Sequence, residues 1–227
     1  MSFDVSFLIL EKEMTDHRFV GKHDCKLWEI ESSEQYFETC QDLASCLPYR
    51  VIDQVARELL RGYEEERTVF LFGNGGSAAL ASHFACDLGK GTIVNRNGRK
   101  RFRAVALTDN VSLMTAWAND ACYDDVFAEQ LQNLVARGDI AFAISGSGNS
   151  PNVLRALEAA QAAGLSTIGL TGFQGGKMKS LCDLCVVVPS DNMQVIEDFH
   201  LSVCHSLFVI IRNALQERKL AAGVAQR

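Results

Sequence analysis

Proline is scarce, with three in 227 residues. No proline-rich linker or low-complexity tract therefore divides the chain. Positive charge is also in short supply. Twenty-two Lys and Arg face 28 Asp and Glu, a formal net charge of -6. That balance argues against a general nucleic-acid binder, which needs basic surface to neutralise phosphates. No apolar stretch reads as long enough to span a bilayer, so no membrane partner is expected. The opening MSFDVSFLILEKEM lacks a basic leading segment, and its short apolar run is flanked by acids, unlike a secretory signal. Cysteine is not rare, with eight, but it lacks the paired spacings of a disulfide framework. Cys40, Cys86, Cys122 and Cys204 sit inside apolar periodic segments and read as buried free thiols in a reducing cytoplasm. Cys182-x-x-Cys185 has no second pair to complete a metal site. It borders the strand-like VVVP and reads as core.

What is present suits one domain with an appendage. Hydrophobic residues make up 48% of the chain and the mean hydropathy is +0.03, enough to fill a sizeable core. Residues 1–32 show no clear period, mix their charges and include His17 and His23, to which no role is given. They are expected to be an extension. Helical character begins at Ser32 or Ser33, either of which could cap, and Pro48 marks a break between two helical segments. Leu43, Leu47, Val51, Val55, Leu59 and Leu60 fall at helical spacing.

An alternating pattern follows. Strands are expected at 68–72, 104–107, 139–144, 166–170 and 185–188. Helices are expected at 77–88, 110–118, 123–134, 150–163, 177–181 and 194–215, with a polar tail, 218–227, that frays. Strands alternating with helices imply a parallel sheet covered on both faces. Five strands suggest a flavodoxin-like three-layer α/β/α sandwich, which binds ligands at the carboxyl ends of its strands.

Two of those ends are unusual. The first strand runs into Gly73-Asn74-Gly75-Gly76-Ser77 and then an alanine-rich helix. A glycine turn at a helix start brings unpaired amides and the positive end of a dipole to a ligand. The segment lacks the lysine of a P-loop. It satisfies G-x-G-x-x-A, but the acidic residue that a dinucleotide fold wants about 20 positions on is missing from TIVNRNGRK, so no nucleotide cofactor is expected. A tight turn with no ligand remains open at this point. The third strand ends in Ser145-Gly-Ser-Gly-Asn-Ser150 ahead of Pro151. Helix capping would account for Ser150 alone; Ser145, Ser147 and both glycines point to phosphate.

Taken together, GNGGS, TDN, SGSGNSPNV and LTGFQGGKM resemble the sugar isomerase (SIS) domain. Within that group the chain resembles the phosphoheptose isomerases, over residues 33–217. The resemblance implies that Ser145, Gly146, Ser147 and Ser150 hold the substrate's phosphate. It places Asn74, Gly75, Gly76 and Ser77 around the sugar, and Thr108, Asp109 and Asn110 at the pocket edge. It also implies a homo-oligomer, typically a tetramer, with active sites built between subunits.

Isomerising an aldose and a ketose moves a proton between adjacent carbons through an enediol. That requires a base at carbon and a group that moves protons at oxygen. His83 and Asp87 are four apart on one helix and share a face. Glu197 and His205 are eight apart on the last helix, about 80° from each other around its axis. The resemblance matches these four to a family quartet that reads His, Glu, Gln, His, so Asp87 is one methylene short and Glu197 carries a charge in place of an amide. It makes Asp87 and His205 the catalytic pair and Glu197 a substrate contact. Some relatives carry zinc here, and His83, Asp87, Glu197 and His205 are a suitable donor set. His200 is expected to be core. Where the family supplies a basic residue for the phosphate, this chain offers Lys90, one position off, or Arg101 and Arg103. The implied reaction converts sedoheptulose 7-phosphate to a heptose 7-phosphate for surface-glycan synthesis. The rival readings are a non-catalytic SIS protein that binds phosphosugars or associates with a replication initiator, and a sugar-phosphate sensor. For the sensor the leader is too short and insufficiently basic to bind DNA.

Overall fold

A computed structural model describes residues 30–93 and 100–224. The expectations for the leader up to residue 29, including His17 and His23, lie outside the described residues.

Two helices lead in, α1 (Ser33–Ala44) and α2 (Tyr49–Glu64). The Ser32 hydroxyl caps α1 by accepting from the Gln35 amide at 3.2 Å, and Pro48 occupies the N-cap position of α2. Pro48 has no N–H to leave unpaired there, which is why the chain breaks at that residue. The α2 stripe Ile52, Val55, Ala56 and Leu59 is buried, as its helical spacing requires.

The sheet follows: β1 (Thr68–Gly73), α3 (Gly76–Cys86), β2 (Arg103–Ala106), α4 (Val111–Asp120), α5 (Ala128–Leu134), β3 (Ile140–Ser145), α6 (Pro151–Ala162), β4 (Ser166–Thr171), α7 (Met178–Leu181), β5 (Leu184–Val187) and α8 (Met193–Val224). All strand pairs are parallel, in the order β2-β1-β3-β4-β5. This is the expected flavodoxin-like sandwich. Alternate residues of each strand enter opposite layers. Val69, Leu71, Phe142 and Ile144 pack with α2, α3 and α8. Phe70, Phe72, Ala141 and Ala143 pack with α5 and α6. Each fully buried Phe or Leu contributes about 1.5–3 kcal/mol to that core.

Three expected elements differ. The helix expected at 123–134 is split into a 3-10 turn, Tyr123–Asp125, and α5. Asp125 is drawn aside by Arg155 of α6 and by the Cys122 thiol, and these pulls compete with helical continuation. Helix α3 gives way at Asp87 to a π-helical turn, Asp87–Gly91. The last helix continues to Val224, past the expected end at 215. By length and composition its Met193–Glu217 stretch could cross a membrane, contrary to the expectation that none could. One face of it, however, lies in the core through Val203, Cys204, Leu207 and Ile211.

Candidate active site

The order β2-β1-β3 makes the chain reverse direction across the sheet between β1 and β3, which opens a crevice at their carboxyl ends. Both loops there are shaped by close approach. A Cβ on Gly73 would lie 2.5 Å from the Ile144 carbonyl oxygen and 2.8 Å from the Ser77 Cβ, so only glycine lets β1 turn this close to β3. Gly148 has φ +64°, and a Cβ on it would lie 2.3 Å from the Gly175 carbonyl oxygen. The Ser145–Ser150 loop is thereby seated on the loop after β4. Met178 N–H donates to the Gly148 carbonyl at 3.0 Å, and Lys177 N–H donates to Asn149 Oδ1 at 3.0 Å.

Within the loop, the Ser145 and Ser150 hydroxyls face one another at 3.3 Å. Ser147 Oγ accepts from the Asn149 amide at 3.2 Å. Ser150 stands at the N-cap of α6, yet its side chain makes no capping bond and turns to Ser145 instead. Gly146 is fixed by its carbonyl, which accepts from the Gly172 amide at 2.8 Å. The hydroxyls thus line a strand end beside a helix N-terminus, a suitable place for an anion.

Asn74 belongs to a feature that sequence reasoning missed. Its amide pairs reciprocally with Asn152 of α6, each side chain donating to the other at 2.8 Å. Tyr123 O–H also donates to Asn74 Oδ1, at 3.0 Å. Asn152 is 1% exposed, so the pair ties the loop after β1 to the helix after β3 across the crevice. In the TDN segment, the Ser82 hydroxyl lies 3.1 Å from that of Thr108 and donates to Asp109. Asn110 caps α4 by accepting from the Leu113 amide at 3.0 Å.

Helices α3 and α8 bring the titratable groups together. His83 Nε2 and His205 Nε2 are 3.2 Å apart. Asp87 Oδ2 is 3.5 Å from the first and 3.9 Å from the second. At 3.2 Å the two nitrogens share one hydrogen bond, one ring donating and the other accepting. Asp87 is the first residue of the π-helical turn, an irregularity that recurs at functional sites. These three side chains form the one candidate metal-ligating cluster among the described residues, with one donor atom from each lying within 4.8 Å of the others.

Glu197 is not in that cluster. Its carboxylate lies beside the start of α3, 3.0 Å from where a Cβ of Gly76 would stand. It lines a cleft of about 260 Å³ with Gly76, Ser77, Leu80, His83 and His200. His83 therefore borders both the cleft and the cluster. Burial pushes His200 down to about 4, a Thr171 backbone interaction opposing it only weakly, and neither ring nitrogen has a well-aligned hydrogen-bond partner.

The basic candidates are scattered. Lys90 is exposed on the π-helical turn. Arg103 donates to the Glu66 carbonyl at 3.1 Å, at the amino end of the sheet, and Arg101 precedes it there. Within this chain neither Arg101 nor Arg103 lies at the end where the serine loop sits. Lys177, which sequence reasoning passed over, has its backbone beside that loop.

Comparison with known proteins fits this geometry. A family model described as the SIS domain matches residues 35–172. A phosphoheptose isomerase of Aliarcobacter butzleri is 40% identical over 185 residues, which cover 82% of this chain and 92% of that one. The chain belongs to the phosphoheptose isomerase branch of the SIS family. A phosphoheptose isomerase of a Bradyrhizobium species is 41% identical over 166 residues, covering 72% of this chain and 81% of its own. Among solved structures, the phosphoheptose isomerase of Neisseria gonorrhoeae superposes with a TM-score of 0.73 at 31% identity, covering 79% of this chain and 96% of that one. One from Francisella tularensis gives 0.70 at 33% identity, with the same coverages.

Proposed function

We propose that this family member is an isomerase that interconverts sedoheptulose 7-phosphate and D-glycero-D-manno-heptose 7-phosphate through an enediol. The observation that carries the reading is the meeting of His83, Asp87 and His205 on two helices far apart in the chain. The Ser145, Ser147 and Ser150 hydroxyls hold the phosphate. From Gly76 to His83, α3 climbs about 10 Å, so a substrate anchored by its phosphate near the strand ends can present its far end to the cluster.

There, Asp87 takes the proton from the carbon next to the carbonyl and returns it to the neighbouring carbon. His205 supplies the proton that the carbonyl oxygen gains and accepts the one that the adjacent hydroxyl loses. His83, hydrogen-bonded to His205, sets which ring nitrogen carries a proton. Glu197 accepts from substrate hydroxyls in the cleft. Two imidazoles and one carboxylate also match three-ligand catalytic zinc sites; held by His83, Asp87 and His205, zinc would polarise the substrate's carbonyl. The exposed apolar side chains Phe37, Val111 and Val209 suit association with further copies of the chain, in keeping with a tetramer. We place the enzyme in the cytoplasm, making heptose for surface glycans.

The test is to incubate purified protein with sedoheptulose 7-phosphate, zinc-loaded or chelator-treated, and follow the aldose by NMR. Turnover in at least one state is expected. None in either would discard the isomerase and favour a phosphosugar-binding role.

A further inference from the structure

One motif takes no part in this chemistry: Cys182 and Cys185, separated by Asp183 and Leu184. Asp183 is pinned at the start of β4. Its side chain accepts from the Thr167 amide at 2.8 Å and from the Thr167 hydroxyl at 3.0 Å, and its own N–H donates to that hydroxyl at 3.0 Å. The pinned turn aims both sulfurs at one point on the sheet, over Gly169 of β4. A Cβ there would stand 2.8 Å from Cys182 Sγ and 3.4 Å from Cys185 Sγ. A glycine inside a strand marks such a close approach. Both cysteines are half-buried, not sealed. The neighbouring Cys182 thiol and the Lys179 ammonium hold the Cys185 thiol below its ordinary value, whereas the Cys185 sulfur and burial push Cys182 up. That asymmetry separates an attacking thiolate from a resolving thiol.

We propose that Cys182 and Cys185 form a reversible disulfide by exchange with a low-molecular-weight disulfide, and that its closure is felt at the serine loop. The Cys185 thiolate attacks one sulfur of the external disulfide and expels a thiolate, leaving a mixed disulfide. Cys182 then loses its proton to solvent and attacks the Cys185 sulfur, and the second external thiol leaves. Two protein thiols are oxidised while one external disulfide is reduced to two thiols. The link to the loop is Met178. Its Cε shares the space over Gly169, 2.6 Å from the same Cβ position, and its N–H holds the Gly148 carbonyl. Drawing the sulfurs together changes the floor on which α7 rests.

Full-length protein is equilibrated with mixtures of glutathione and glutathione disulfide, its remaining thiols are blocked with N-ethylmaleimide, and it is cleaved before aspartates. A cut before Asp183 puts the two cysteines on separate peptides, so finding those peptides joined detects the bond directly. The joined pair is expected to grow with the proportion of disulfide and to vanish with dithiothreitol. Cys182→Ser is expected to keep glutathione on Cys185, and Cys185→Ser to leave Cys182 unmodified. Alkylation of both cysteines at every ratio in the wild-type protein would overturn the proposal, with no need of the variants. The effect on the loop rests on the isomerase reading. It predicts a several-fold rise in KM for the phosphosugar with kcat little changed. An unchanged KM in linked, active protein would refute that coupling, whereas reduced protein without turnover would sink the isomerase reading and leave the peptide result standing.

Discussion

Acid should unfold this protein in part through His200. The imidazole is 1% exposed, and burial lowers it from 6.5 to about 4. At neutral pH the ring is uncharged in both folded and unfolded chains, so its titration contributes nothing to the difference between them. As the pH falls through 6.5 the unfolded chain takes up a proton that the folded chain refuses until about 4. Stability therefore drains away across that window as the pH falls, and the loss levels off below it. Between about pH 7.5 and about pH 5 the cost is about 2 kcal/mol, a large share of the ~5–15 kcal/mol that keeps a domain folded. The assay is urea unfolding at both pH values and at fixed protein concentration, on wild type, His200→Leu and His200→Gln. Whatever either variant does to stability at neutral pH, wild type should lose about 2 kcal/mol more on acidification than the variants do. Equal losses would show that the folded protein protonates His200 as readily as the unfolded chain does.

Other variants separate chemistry from architecture. His205→Ala should abolish turnover while phosphosugar binding, measured by calorimetry, persists; undiminished rates would remove His205 from the mechanism. Asp87→Asn should lower kcat by about 10²–10⁴-fold, read from the NMR assay. Asn152→Ala leaves the half-buried Asn74 amide short of its partner and should cost about 1 kcal/mol in urea unfolding. Gly148→Ala combines positive φ with a clash against Gly175 and should weaken both stability and phosphate affinity, measured by thermal melting and by phosphate titration.

Much of the architecture was legible because it rests on local signals. Apolar runs such as Val69–Phe72 and Ile140–Ile144 fit a strand buried on both faces, and the glycine–serine clusters that follow them lie at the carboxyl ends of neighbouring parallel strands. The spacings His83 to Asp87 and Glu197 to His205 correctly put each pair on a common helix side. What escaped depends on contacts distant in sequence. Nothing local at Asn152 reveals a partner 78 residues away, and the pull of Arg155 on Asp125 acts from another helix. The π-helical turn at Asp87 leaves no periodic trace over so few residues. Glu197 and His205 do share a side of α8, but helix rise carries Glu197 to the start of α3 and His205 to its later turns, so the four groups do not gather at one point.

The imidazole pair spans 122 positions of chain. A ribosome must translate all five strands and well into the terminal helix before His83 can meet its partner. On the proposed mechanism, any nascent or truncated product that ends short of residue 205 could own a sheet and a serine loop yet would remain chemically silent. Catalytic competence would thus certify that synthesis has passed residue 205.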